Sequence, residues 1–185
     1  QRQMCIRDRV LGVKGKLTAH GVTIVSGGAT VTDKNHVECG GETYECDNLL
    51  LCTGSETFVP AIPGIDKVPY WTHRDALDNK ELPASLAIIG GGVIGMEFAS
   101  AFQTFGSEVT VVEFLKECLP PIDADIAKRM RKALEKRGIK FYMQSGVQDI
   151  RTIPGAEGRD TAVVTFERKG QRVDLEADVV LVATG

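Results

Sequence analysis

The chain has no apolar run near the length that a bilayer requires. It shows no pattern of basic n-region, apolar h-region and cleavage site. No basic tract offers a surface to nucleic acid, and the formal net charge is only -3. The five cysteines, Cys5, Cys39, Cys46, Cys52 and Cys118, form neither C-x-x-C nor a zinc-ligand spacing. Their odd number and the missing secretion pattern point to a reducing cytoplasm. Together these absences argue against a membrane protein, a nucleic-acid binder, a zinc module and a disulfide scaffold. At 43% hydrophobic and 25% charged residues, the composition is that of a globular protein.

What is present is concentrated in Leu86–Glu113. Leu86-Ala87-Ile88-Ile89 reads as a buried parallel strand. Gly90-Gly91-Gly92-Val93-Ile94-Gly95 follows at once and supplies G-x-G-x-x-G. A helical pattern then runs from Val93 to Phe105, Gly106 ends it, and Val109–Val112 is a second strand closed by Glu113. Gly90 permits the tight turn. Gly92 leaves the backbone bare for a pyrophosphate, and Gly95 lets helix and strand approach closely. The helix N-terminus brings free N–H groups and a positive dipole end. Glu113 stands where a carboxylate accepts hydrogen bonds from a ribose 2′-OH and repels a 2′-phosphate. The pattern therefore predicts a dinucleotide site that prefers NAD to NADP.

The remainder alternates between the two periodicities. Val22–Val25, Ala29–Thr32, Val37–Cys39 and Thr43–Cys46 read as short strands, with Asp33–Asn35 and Gly40-Gly41 as hairpin turns. Leu49–Cys52 reads as a buried strand that would hold Cys52 as an inert thiol. Pro60, Pro63, Gly64 and Pro69 read as a surface connector, and Thr72 as the cap of a short helix with Asp75 reaching back. Asp123 caps an amphipathic helix Ala124–Arg137 with Ile126, Met130 and Leu134 on one face, ended by Gly138. Ile139–Met143 is a further strand. Val147–Thr152, Thr161–Arg168 and Gln171–Leu175 make a second meander, and Asp178–Ala183 is a last buried strand. LLLCTG at Leu49–Gly54 and VVLVATG at Val179–Gly185 repeat one theme: an apolar strand after a meander, stopping at Thr-Gly.

The expected fold is α/β: a Rossmann-like NAD-binding domain with a parallel sheet and β-meander over 83–185, joined by a connector at 67–82 to the C-terminal part of a second, similar dinucleotide-binding domain over 10–66, which the resemblance given below implies to be the FAD-binding one. Residues 1–9 stand apart. Met4-Cys5-Ile6-Arg7-Asp8-Arg9 resembles the translation of a transposon end used to tag DNA for sequencing, and is expected to take no part in the fold.

The strings LLLCTGSETFVPAIPGID, GGGVIGMEFASAFQTFGSEVTVVEF and DVVLVATG resemble the pyridine nucleotide-disulfide oxidoreductases, and the likeness runs from Val10 to Gly185. The resemblance implies FAD and NAD as cofactors. It implies that Gly90, Gly91, Gly92, Val93, Ile94, Gly95, Met96 and Glu97 line the NAD pyrophosphate and nicotinamide end. Glu113 would hold the adenosine ribose, Val147 would touch the adenine, and Gly185 would approach the bound cofactor. For FAD it implies Ala29 near the adenine and Thr53, Gly54 and Ser55 along the site. It implies no catalytic or metal-binding residue within the chain. The family's first G-x-G-x-x-G, its redox C-x4-C pair and its His-Glu pair are missing, and His20, His36 and His73 match no such site. The chain thus reads as the middle of a longer protein. Within the family the likeness leans to the flavoproteins of 2-oxoacid dehydrogenase complexes, which implies a homodimer acting on lipoyl domains. An NADH oxidase, a mercuric reductase and a non-catalytic nucleotide-binding module remain alternatives.

Overall fold

A computed structural model describes residues 2–155, 158 and 160–184. The chain divides between Ser55 and Glu56 into two compact units.

The first unit holds helix α1 (Arg2–Ala19) and strands β1 (Ala29–Val31), β2 (His36–Cys39) and β3 (Glu42–Glu45). The strands form an antiparallel meander in the order β1-β2-β3. Asp33 accepts the Asn35 N–H across the first turn, and Gly40 and Gly41 supply positive φ angles of 64° and 84° at the second. Helix α1 passes through Arg9 and Val10 without a break, and Ile6, Val10, Leu11 and Leu17 on it are exposed.

Three expectations fail in this unit. Val22–Val25 is irregular rather than a strand. Leu49–Cys52 is also irregular, with Leu50 83% and Leu51 66% exposed, and Cys52 is exposed rather than buried. A parallel strand exists only when neighbours take up its N–H and C=O groups. Among the described residues no strand lies along Leu49–Cys52.

The second unit is a three-layer α/β structure. Strands β4 (Tyr70–Trp71), β5 (Ser85–Ile89), β6 (Glu108–Val112), β7 (Lys140–Tyr142) and β11 (Val179–Val182) form one parallel sheet in the order β4-β11-β5-β6-β7. Strands β8 (Gly146–Pro154), β9 (Asp160–Arg168) and β10 (Gln171–Ala177) form the antiparallel meander. Side chains alternate across the parallel sheet as a period of two demands. Leu86, Ile88, Val109, Val111 and Leu181 face helices α3 (Val93–Phe105) and α4 (Ala124–Lys136) and meet Met96, Ala99, Phe102, Ala127 and Leu134. Ala87, Ile89, Val112, Val180 and Val182 face the meander and meet Ile150, Ala162, Val164 and Phe166.

The stretch from Pro60 to Pro69 is not a surface connector. Ile62, Ile65 and Val68 are buried in the meander-side core, and the Ile150 N–H donates to the Pro63 carbonyl at 2.9 Å. Tyr70–Trp71 pairs with β11, and helix α2 (His73–Asp78) follows. Its capping box forms as expected: the Thr72 N–H donates to Asp75 Oδ2 at 2.7 Å. On α4 the buried stripe is Ala127 and Leu134, with Arg131 between them, whereas Ile126 and Met130 are exposed. The apolar residues alone suggested the wrong rotation, because the inner stripe carries an arginine whose stem is covered. No helix among the described residues is long and apolar enough to cross a membrane.

Candidate dinucleotide-binding site

From β5 the chain moves through β6 to β7 on one side, then returns through the meander to β11 on the other. The sheet therefore has its topological switch point between β5 and β11, and crevices outside the carboxyl ends of strands at such points take ligands. A cavity of about 710 Å³ lies there. Gly90, Gly92, Val93, Ile94, Glu113 and Val147 all line it.

The glycines divide the work as their spacing implied. Gly90 has φ 109°, and a Cβ there would stand 2.6 Å from the Ala183 carbonyl oxygen. A Cβ on Gly95 would stand 2.0 Å from the Gly90 carbonyl oxygen. Both positions are closed to any side chain by neighbouring backbone. Gly92 differs: a Cβ on it would meet nothing within 4 Å, so its space opens on the cavity. Gly92 is the N-cap of α3, and the first helical bond runs from the Met96 N–H to its carbonyl. The Val93, Ile94 and Gly95 N–H groups have no acceptor among the described residues. They form the donor set that an anionic pyrophosphate needs, with the helix dipole behind them. A bare glycine, unpaired amides and a nearby carboxylate fit a dinucleotide.

Glu113 is 6% exposed at the end of β6. Its Oε2 accepts the Gly91 N–H at 2.5 Å and its Oε1 accepts the Leu115 N–H at 2.6 Å. Each carboxylate oxygen keeps a second lone pair, so a ribose hydroxyl can still be accepted. The sequence pointed to the ribose role only. The structure adds that the same carboxylate clamps the glycine turn.

Other expected residues fall elsewhere. Gly91 packs behind the turn, where a Cβ would come within 3.1 Å of Glu113 Oε2. Met96 is fully buried in the helix-side core, and Glu97 is exposed on α3; neither lines the cavity. Ala29 lies in β1 of the other unit, where Thr53, Gly54 and Ser55 form an exposed irregular segment. Gly185 lies outside the described residues. Sequence reasoning missed Phe114, Leu115, Pro120, Ser145 and Thr184 on the cavity wall. The signal for them was available in the topology, since each follows the carboxyl end of a parallel strand. Among the described residues no cluster of three or more His, Cys, Asp or Glu could hold a metal.

Behind the turn, Arg131 makes a fork to Glu117: Nε donates to Oε1 at 2.7 Å and Nη2 to Oε2 at 3.0 Å. The Arg131 hydrogen bond holds the Glu117 carboxyl well below its ordinary 4.5, at about 2. Burial, reinforced by Glu117, pushes the neighbouring Cys118 thiol up to about 12, so it is an inert core thiol. Because the folded value of Glu117 is depressed, its stabilisation is complete above pH 4.5 and is lost as pH falls toward 2. Melting temperatures of wild type and Glu117→Gln are therefore expected to converge across that interval. A constant difference throughout it would contradict this.

This combination of a parallel sheet, glycine turn, open helix N-terminus and terminal acid defines a dinucleotide-binding protein. A family model, "Pyridine nucleotide-disulphide oxidoreductase", matches residues 6–185, and the chain belongs to that family. Members use FAD and a pyridine nucleotide as cofactors. The chain is 34% identical over 184 residues to a dihydrolipoyl dehydrogenase of Acholeplasma laidlawii, covering 97% of this chain and 52% of the relative. It is 38% identical to a dihydrolipoyl dehydrogenase of Haloferax volcanii, covering 97% and 40%. Among solved structures it is similar to the Cu(II) complex of HOCl-induced flavoprotein disulfide reductase RclA from Escherichia coli. That match has a TM-score of 0.73 and 31% identity, and covers 89% of this chain and 36% of the other. The chain thus spans about half or less of the length of these relatives.

Proposed function

We propose that this chain supplies the NAD-binding part of a flavin-dependent dihydrolipoyl dehydrogenase, with residues 83–185 as the NAD-binding domain and 10–66 as part of the FAD-binding domain. In this reading Gln1–Arg9 lies outside the functional unit. The observation that carries the proposal is the single cavity shared by Gly90, Gly92, the α3 N-terminus and Glu113. The relatives named dihydrolipoyl dehydrogenase support the choice of member. When bound, FAD would take electrons from a dithiol and the nicotinamide would carry them away as hydride. The chain's own residues bind and orient. The Val93, Ile94 and Gly95 amides hold the pyrophosphate, Glu113 holds the adenosine ribose, and Val147 closes the adenine end. Ala29, Thr53, Gly54, Ser55 and Gly185 remain proposed contacts, the first four on the flavin side. The proposed redox pair and acid-base lie outside this chain, which by itself is inactive in this reading. The whole enzyme would be a cytoplasmic homodimer acting on lipoyl domains of a 2-oxoacid dehydrogenase complex. A mercuric reductase is the second reading, favoured by 31% identity over 166 residues to one from Bacillus cereus.

Cofactor choice tests the site directly. The chain is expected to bind NADH well ahead of NADPH, because a 2′-phosphate would meet the Glu113 carboxylate. Glu113→Ala is expected to weaken NADH binding by about 1–3 kcal/mol, the cost of a lost partner at a buried hydrogen-bonding position. Calorimetric titration of both nucleotides decides it, and equal affinity for NADPH in the unmutated chain would overturn the assignment.

A further inference from the structure

Resting on the dinucleotide reading, we propose that Arg131 is a positioning residue for this site: through Glu117 it holds the 117–119 backbone that fixes the Gly91 peptide. Arg131 lies on α4, and its hydrogen bonds go to Glu117 and Glu135 rather than to the glycine turn, so its influence passes through the loop after β6. That loop meets Gly91 at two points. The Leu119 N–H donates to the Gly91 carbonyl at 2.8 Å, and Cys118 Cβ lies 3.2 Å from where a Gly91 Cβ would stand. From the other side the Gly91 N–H is taken by Glu113.

The peptide linking Gly91 and Gly92 is planar and trans, so its N–H points opposite to its C=O. Fixing the Gly91 carbonyl on Leu119 therefore fixes the direction of the Gly92 N–H. Gly92 borders the cavity and begins α3. The direction of the chain as it enters the Val93–Gly95 donor set, set at the Gly92 N–H, thus depends on where Leu119 sits.

Leu119 is held in an unfavourable state. Its φ is 55°, in the left-handed region that costs a branched residue about a kcal/mol or more. Something must keep the loop there. Glu117 does so at close range, accepting the Cys118 N–H at 3.0 Å as well as both arms of the Arg131 fork. The side chains of Arg131 and Glu117 are 17% and 22% exposed, so water screens the pair poorly. Arg131 is fixed in turn by Glu135, one turn further along α4 at 2.5 Å. The path runs from α4 through Glu117, Cys118 and Leu119 to Gly91 without a gap.

The test uses the full chain and NADH as the probe, with each titration well below the melting temperature. Arg131→Met keeps the covered stem and removes the fork. It is expected to raise the NADH Kd about tenfold, and Arg131→Lys is expected to recover part of that loss, since it restores charge without the planar fork. Amide hydrogen exchange is expected to speed up at Leu119 and Gly91 while β5 and β11 keep their protection. Arg137→Met is the control. It breaks bonds from the C-cap of the same helix to Ser100 and Thr104 in the later turns of α3, away from the glycine turn, and is expected to leave Kd unchanged. If Arg131→Met does not fold, Glu117→Gln decides the matter, because it keeps the side-chain volume and an acceptor for Cys118. A folded Arg131 or Glu117 variant with wild-type Kd and unchanged Leu119 exchange would overturn the inference. So would an equal loss of affinity in Arg137→Met. Wild type failing to bind NADH would instead overturn the dinucleotide reading, and this inference with it.

Discussion

Gly95→Ala is expected to destabilise the second unit by on the order of 3 kcal/mol or more, a large share of the 5–15 kcal/mol that holds a typical domain together. The added methyl would stand 2.0 Å from the Gly90 carbonyl oxygen, and that oxygen is backbone rather than a side chain that can turn away. Either α3 withdraws from β5 or the turn at Gly90 unwinds. Retreat of the helix would open the core at Met96 and Ala99, both fully buried. The expected result is a fall in melting temperature of about 10 °C or more, followed by circular dichroism. Gly92→Ala provides the contrast. Its φ of -70° suits any residue and its space is open, so stability is expected to hold while NADH binding falls. A Gly95→Ala protein that melts with the wild type would show that helix and strand are not as closely packed as described.

Phe166→Ala is expected to cost about 3–5 kcal/mol, the range for emptying a large aromatic site in a core. Phe166 is fully buried between the meander and the parallel sheet, and its ring centroid lies 4.9 Å from that of Tyr142. On β9 it sits opposite Val147 of β8, which lines the cavity. The cavity left by the ring therefore undermines the wall of the nucleotide site as well as the core. Urea unfolding followed by fluorescence and circular dichroism gives the loss of stability. A value below about 1.5 kcal/mol would mean that the meander collapses into the space and that its seat on the sheet is soft.

The parts of this protein that could be read from its sequence are those whose causes are local. Leu86–Ile89, Gly90–Gly95, Val93–Phe105 and Val109–Val112 each carry a pattern that only one backbone satisfies, and each appears within a residue or so of its expected limits. The Thr72 capping box and the Asp123 cap are equally local, and both form. What escaped depended on partners distant in sequence. Leu49–Cys52 has the composition of a central strand, but composition cannot supply a neighbouring strand. Ile126 and Met130 looked like the inner face of α4, but Ala127 and Leu134 are the residues buried in the core, with Arg131 between them paired to Glu117. The region around Pro60–Pro69 read as a connector because its prolines are visible and its docking on β8 is not. At the site, the place of Glu113 just after a strand and on the cavity wall was legible. Its bonds to Gly91 and Leu115 were not, because they depend on how two loops meet.

The order of strands in the parallel sheet also bears on how the chain is made. Strands β5, β6 and β7 follow one another along the chain and lie side by side, so they can pair as they leave the ribosome. Strand β4 cannot, because among the described residues its one neighbour is β11, and Tyr70 must wait for Val180. Strand β11 follows β5, β6, β7 and the whole meander along the chain, yet it fills the slot between β4 and β5. Until it arrives, β5 presents an open apolar edge, the kind of surface that recruits other unfinished chains. Insertion of this late strand is a long-range closure of the type that slows folding. Slower elongation between β5 and β11 is therefore expected to lengthen the time for which that edge is at risk.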